Sequence, residues 1–168
     1  MNKLLILIIV CFSFVIATTK PNLDIQAESF EVNLSTNYFE VKNDIVITQG
    51  DLVINADMAT YNESKQKIYL FGNIETKYES VSVYCQTMIY DRDKGIITAT
   101  DKVSSAYQDY DIHGDKLIYY LNDGKMQFYG ATTINQSNNV LESKDVYIDL
   151  IQNKIYSDNQ TRFRISNE

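Results

Sequence analysis

Ala27, Ala56, Cys85, Gly114 and Ser143 stand at one fixed interval, each 29 residues after the last. Each is a small or polar residue set in the same apolar pattern. Two positions before it comes Ile25, Ile54, Val83, Ile112 or Leu141. Three positions after it comes Phe30, Ala59, Met88, Leu117 or Val146, and five after it Val32, Tyr61, Tyr90, Tyr119 or Ile148. Twelve after it comes Phe39, Ile68, Ile97, Met126 or Ile155. A period between about 20 and 50 residues marks stacked, equivalent units, none of which buries its apolar face alone. The chain is therefore expected to work through an elongated surface rather than through one pocket.

The units run about 23–50, 51–79, 80–108, 109–137 and 138–166, with no linker or charge run between them. The first half of each alternates, as in Leu52-Val53-Ile54-Asn55-Ala56, which is the strand signal. The apolar positions on either side of the small residue have opposite parity. A strand that changes parity changes face, so a bulge or bend is expected there, with the small side chain admitting a close approach. A polar turn follows, as in Asn62-Glu63-Ser64-Lys65, Asp91-Arg92-Asp93-Lys94 and Asn122-Asp123-Gly124-Lys125. A second strand then reaches Asn43-Asp44, Gly72-Asn73, Asp101-Lys102, Gly130-Ala131 or Asn159-Gln160, where positive φ and a second bend are expected. Each unit thus supplies two bent strands, and at about 4.8 Å per strand the stack would be roughly 48 Å long. The result is an all-β sheet folded over itself into a V with an apolar inside. A parallel β-helix with one coil per unit is the competing architecture.

Composition agrees with β-structure: Tyr occurs 13 times, Trp is absent and Pro21 is the single proline. Residues 1–17 read as a signal peptide, with Lys3 ahead of the apolar run Leu4–Ala17 and Val15-Ile16-Ala17 as the cleavage site. The run falls short of the roughly 20 residues a membrane span needs. Cys11 lies inside it without the small residue expected before a lipoprotein cysteine. Residues 18–168 are then one domain. Cleavage would take the net charge from −7 to −8, which argues against nucleic acid as a partner. Cys85 would remain as the one cysteine, so no internal disulfide can form. Its place in the register makes it a packing residue.

Little here points to catalysis, and no metal or other cofactor is implied. His113, the single histidine, falls on a polar strand face without partners at ligand spacing. Asp57 and Asp115 recur after the small residue, but Glu28, Gln86 and Lys144 at the same place fit a solvated face better than an acid–base pair. Tyr61, Tyr90 and Tyr119 share the parity of Ala59, Met88 and Leu117, and read as a core ladder rather than a stacking platform. What remains is the apolar inner face, which, if left open lengthwise, would suit acyl chains.

The segment Ile45-Val46-Ile47-Thr48-Gln49-Gly50-Asp51-Leu52-Val53-Ile54-Asn55-Ala56-Asp57 resembles the signature of the OstA-like family of lipopolysaccharide-transport bridge proteins (LptA). So does Ile112-His113-Gly114-Asp115-Lys116-Leu117-Ile118-Tyr119, followed by Gly124-Lys125-Met126. The resemblance covers about residues 23–134, and the last unit carries a weaker signature. It implies a periplasmic antiparallel β-jellyroll, open along one side, that holds the acyl chains of lipopolysaccharide while the phosphosugars face water. It also implies end-to-end assembly by strand addition, with copies of itself, with an inner-membrane anchored component and with the outer-membrane translocon. By position, the lipid-facing residues would be Val41, Ile45, Ile47, Ile54, Leu70, Ile74, Ile112, Met126, Phe128 and Ile134. A membrane-anchored (LptC-like) component of the same system and a structural repeat protein with a closed core are the alternatives. Sequencing the N-terminus of the exported protein separates bridge from anchor: a start at Thr18 is expected, and an intact Met1 would indicate the anchor.

Overall fold

The computed structural model describes residues 20–33, 35 and 38–165; the expected signal peptide lies outside them. Two short strands, β1 (Asp24–Gln26) and β2 (Ser29–Asn33), precede the first long one, β3 (Tyr38–Gln49). Five more long strands follow: β4 (Leu52–Asn62), β5 (Lys67–Tyr78), β6 (Val81–Asp91), β7 (Ile96–Tyr107) and β8 (Tyr110–Tyr120). Beyond them the strands are interrupted: β9 (Lys125–Tyr129), β10 (Thr132–Gln136), β11 (Asn139–Ser143), β12 (Val146–Asp149), β13 (Lys154–Tyr156) and β14 (Arg162–Arg164). Every pairing among the described residues is antiparallel. This overturns the parallel β-helix. Parallel neighbours need crossovers of a dozen residues or more, whereas turns as short as Gly50-Asp51 reverse this chain at once.

All fourteen strands belong to one sheet, and each long strand crosses it with a break in register at its middle. In β4 the ladder skips from Asn55 to Met58, and in β6 from Tyr84 to Thr87. On the intervening strands the break falls at 43–44, 72–73 and 101–102, where Asn43, Asp44, Gly72, Asn73, Asp101 and Lys102 all have positive φ. Gly130 does the same between β9 and β10, with φ +84°. Among the described residues the left-handed bend is not repeated at Asn159-Gln160, contrary to expectation. There Asp145 and Ser157 make a side-chain corner instead: Ser157 Oγ donates to the Asp145 carbonyl (2.6 Å) and Asn159 Nδ2 to Asp145 Oδ2 (3.3 Å).

The bends turn the sheet into two layers that share one core. The first layer ends in the tight turns after Gln49, Tyr78, Tyr107 and Gln136; the second ends in the longer turns after Asn62, Asp91, Tyr120 and Asp149. In the longer turns Asn62, Asp91 and Asp149 accept the amides of Lys65 (3.0 Å), Lys94 (3.1 Å) and Gln152 (2.9 Å). Successive turns are laced by backbone bonds, Arg92 N to Gln66 O, Leu121 N to Gly95 O and Leu150 N to Gly124 O. The face switch falls where parity places it. Leu52, Ile54 and Ala56 are buried before the break and Ala59 after it; Val81, Val83 and Cys85 give way to Met88 and Tyr90. Gly114 sits against the Phe128 ring, which a Cβ would approach to 2.9 Å. The sheet does not close: β1 and β2 lie at one end, β13 and β14 at the other.

Glycines 124 and 130 separate two demands. A Cβ at Gly130 would run into the Asp115 carboxylate at a positive φ. Gly124 has the left-handed φ that Gln66 and Asn153 also adopt, and the close neighbour of a Cβ there is the exposed, flexible Ile151 side chain, with Leu150 Cβ at ordinary contact distance. Gly130→Ala is expected to cost about 2 kcal/mol and Gly124→Asn less than about 0.5 kcal/mol. Urea titration of both variants checks this, and equal midpoints would contradict it.

Candidate functional site

The interior is lined from both layers. Of the ten positions expected to face a lipid, Ile45, Ile47, Ile54, Leu70, Ile74, Ile112, Met126, Phe128 and Ile134 are buried in one cluster, and Val41 is half-buried against it. The first layer supplies Ile45, Ile47, Ile54, Ile74, Ile112 and Ile134; the second supplies Val41, Leu70, Met126 and Phe128. Along the middle of the molecule these side chains fill the space between the layers.

Room remains at the two ends. Beside β1 and β2 a cavity of about 440 Å³ is lined by Leu23, Ile25, Phe30, Phe39, Val41 and Tyr61, with Ala27 and Glu63. Beside β13 and β14 one of about 310 Å³ is lined by Tyr107, Ile134, Leu141, Ile148, Ile155 and Phe163, among others. Phe30 is 78 % exposed and Phe163 59 %. Large apolar groups are thus uncovered where the sheet stops.

Opposite the bends, the free edges of the layers meet along a seam. Gln49, Tyr78, Tyr107 and Gln136, again 29 residues apart, end the first layer. Tyr61, Tyr90, Tyr119 and Ile148 come forward from the second. Tyr90 Oη donates to Gln49 Oε1 (3.1 Å). Arg92 Nε donates to the same oxygen (3.2 Å), and its guanidinium also reaches Tyr61 Oη (3.1 Å) and Gln66 Oε1 (2.9 Å). The clasp borders a seam-side cavity of about 490 Å³ lined by Lys20, Leu52, Tyr78 and Leu121, among others. Next along the seam Tyr78 meets Tyr119 edge-on, centroids 6.0 Å apart. Beyond them Tyr107 and Ile148 both border the end cavity.

Burial raises the Tyr119 hydroxyl above its ordinary range, and the neighbouring Glu79, Tyr78 and Tyr107 add to this. Burial also raises Tyr90, against the pull of Arg92, and lifts the Cys85 thiol to about 12. Tyr90 and Tyr119 are core residues, as their parity indicates. The parity argument does not reveal that they also close the seam, nor does it single out Arg92 or the facing Gln/Tyr row. The row was readable, since it follows the same interval at the strands' other end.

His113 is exposed on the outer face. Asp57 and Asp115 serve the bends: Asp57 accepts from Asn73 Nδ2 (2.9 Å) and Asp115 from the Ala131 amide (3.1 Å). Asp145 likewise accepts the Gly130 amide (3.1 Å). Among the described residues no group of three or more His, Cys, Asp or Glu side chains could hold a metal ion.

Residues 24–154 match the family described as LptA/(LptD N-terminal domain) LPS transport protein. The lipopolysaccharide export system protein LptA of Escherichia coli (strain K12) is 24 % identical over 122 residues, and that of Shigella flexneri matches equally. The match takes in 66 % of this chain and 66 % of each relative, so about two thirds of the relatives' length is spanned. A crystal structure of LptH from Pseudomonas aeruginosa, the LptA homologous periplasmic component of the lipopolysaccharide transport device, aligns over 88 % of this chain and 96 % of its own. The alignment has 14 % identity and a TM-score of 0.36.

The buried hydroxyls and thiol make stability depend on alkaline pH. Each has a folded pKa above its unfolded value, so each ionises first in the unfolded chain. Their contribution is complete below about pH 8.5, where the unfolded thiol begins to titrate, and is lost as pH rises through 10 and beyond. The urea midpoint is expected to be level from pH 6 to 8 and to fall above pH 9. Cys85→Ala should remove the earliest part of that fall. A midpoint that holds steady to pH 11 would contradict the burial of these groups.

Proposed function

The chain belongs to the family described as LptA/(LptD N-terminal domain) LPS transport protein, and on that premise we propose that it carries lipopolysaccharide across the periplasm with the acyl chains held between its two layers. The observation that carries this reading is an apolar interior continuous with cavities at both open ends, the one beside β1 and β2 mostly apolar and the one beside β13 and β14 sharing its lining with Gln136, Asn139, Asn153 and Lys154. Acyl chains gain free energy roughly in proportion to the apolar area they remove from water, and the ten inward positions supply an apolar lining throughout. The role is binding and transfer without catalysis. The acidic surface suits a cargo whose anionic head groups stay in solvent rather than against the protein.

Export would follow cleavage after Ala17, leaving 18–168 as the working domain. The unpaired edges at β1 and β2 and at β13 and β14 are the docking surfaces in this reading. An open edge offers unpaired backbone groups, and strand addition satisfies them. A second copy, an inner-membrane anchored component or the outer-membrane translocon added there would prolong the apolar lining past the end of one chain.

Photocrosslinking in cells tests the reading. A benzoylphenylalanine at Val41, Phe39 or Leu141, which border the end cavities, is expected to label with lipopolysaccharide. The same group at Tyr84, on the outer face and 41 % exposed, should not. Labelling at Tyr84 alone, or at none of these positions, would overturn the proposal.

A further inference from the structure

The seam contains one group that the folded protein leaves unsatisfied. Tyr119 is 1 % exposed, and its hydroxyl is the buried side-chain polar atom that finds no hydrogen-bond partner among the described residues. A buried hydroxyl without a partner is costly, and native proteins retain few of them. The equivalent positions on either side carry no such cost. Tyr90, one interval earlier, donates to Gln49, and Ile148, one interval later, has no polar group. Opposite Tyr119 the first layer offers Tyr78, whose ring packs T-shaped against it, where it offers Gln49 to Tyr90. Tyr107, next in that row, already accepts from Gln108 Nε2 (3.0 Å).

The location gives the orphan hydroxyl a context. Tyr119 itself lines neither cavity, but its ring neighbour Tyr78 borders the seam-side one and Tyr107 the end one, and Glu79, Tyr78 and Tyr107 at the free edge are close enough to act on its hydroxyl. Behind it toward the bends the side chains are mostly apolar, Leu117, Ala99 and Met88 among them, and the buried hydroxyls there are already engaged, Thr76 Oγ1 donating to Met88 Sδ (3.4 Å) and Ser105 Oγ to the Ser82 carbonyl (2.9 Å). An amphiphile seated with its chain in that interior and its head outside crosses from apolar to aqueous surroundings at the seam. There an acyl chain bears its ester or amide carbonyl, a strong acceptor without a proton to give. A tyrosine hydroxyl with no other partner is the complementary donor.

We propose that Tyr119 is a ligand-binding residue whose hydroxyl donates a hydrogen bond to the ester or amide carbonyl of a bound acyl chain, fixing the depth at which the chain sits. This rests on the acyl-chain reading of the interior and adds to it a specific polar contact.

Tyr119→Phe removes the donor and keeps the ring. The free variant should melt at or slightly above the temperature of the parent, since an unsatisfied group is lost. The apolar dye N-phenyl-1-naphthylamine, which has no carbonyl, should bind both proteins equally. Purified lipid A should displace it from the variant about fivefold less effectively, the worth of one neutral hydrogen bond. A phosphatidylethanolamine of matched chain length forms a second arm; a tyrosine-dependent effect with either lipid supports the site and identifies the source of the carbonyl. Equal displacement from both proteins by both lipids would overturn the role of Tyr119 and leave the acyl-chain interior standing. Failure of both lipids to displace the dye from the parent protein would overturn both. A lower melting temperature for the free variant would show that the hydroxyl is already partnered in solution and would also sink the proposal.

Discussion

Everything in this molecule depends on keeping one face of a long strand apolar through a sharp bend. A strand alternates faces at every residue, and in a folded-over sheet the inner face must stay inner on both sides of the fold. Ile54 and Ala59 are both buried although the step between them is an odd number of positions. At the bend β3 and β5 each spend one residue more than β4, 43–44 against 57 and 72–74 against 56–57, and the left-handed residues of these neighbouring strands turn the backbone there. Carboxylates then hold the corner, as Asp57 does on Asn73 and Asp115 on the Ala131 amide. Without the shift, every side chain past the bend would point the wrong way.

The two sides of the V are therefore unequal. At the bends the layers are joined by continuous backbone. At the seam they meet only through side chains, and those contacts weaken along the row. The clasp of Gln49, Tyr90 and Arg92 is hydrogen-bonded, Tyr78 and Tyr119 touch by their rings, and Tyr107 and Ile148 border a cavity. Among the described residues no backbone–backbone hydrogen bond crosses the seam, whereas parting the layers at the bend would break ladders on every strand. On the proposed acyl-chain reading, the seam is the side from which the interior would open.

Much of this was legible in the residue order. Period-two alternation marks the strands, and the parity change around Ala56, Cys85 and Gly114 locates the bends. Gly72-Asn73 and Gly130 announced positive φ because few other residues adopt it without strain. Asn159-Gln160 misled because a side-chain corner built on Asp145 and Ser157 replaces a backbone turn, and nothing in composition distinguishes the two. Pairing direction was also undetermined by period alone, since 29 residues suit a hairpin or a coil. The facing rows of the seam escaped because contact across layers is a property of the fold. Gln49 and Tyr90 are 41 residues apart, a distance that belongs to no local pattern.

The ends follow from the same logic. Stacked bent strands have no intrinsic stopping point, because each strand's ladder asks for another. Here the stack ends in short strands, β1 and β2 on one side and β13 and β14 on the other, and the core beneath them thins into cavities lined by Phe39, Val41, Ile148 and Ile155. Short, partly uncovered strands are the least protected part of a sheet and open at the lowest free-energy cost. The packed middle, by contrast, must displace its own side chains to admit a guest. For a lipid-carrying role the ends are thus where a chain enters or leaves, and a partner strand added at either edge would cover the cavity and extend the ladder together. One docking event would then join the backbone and the apolar path.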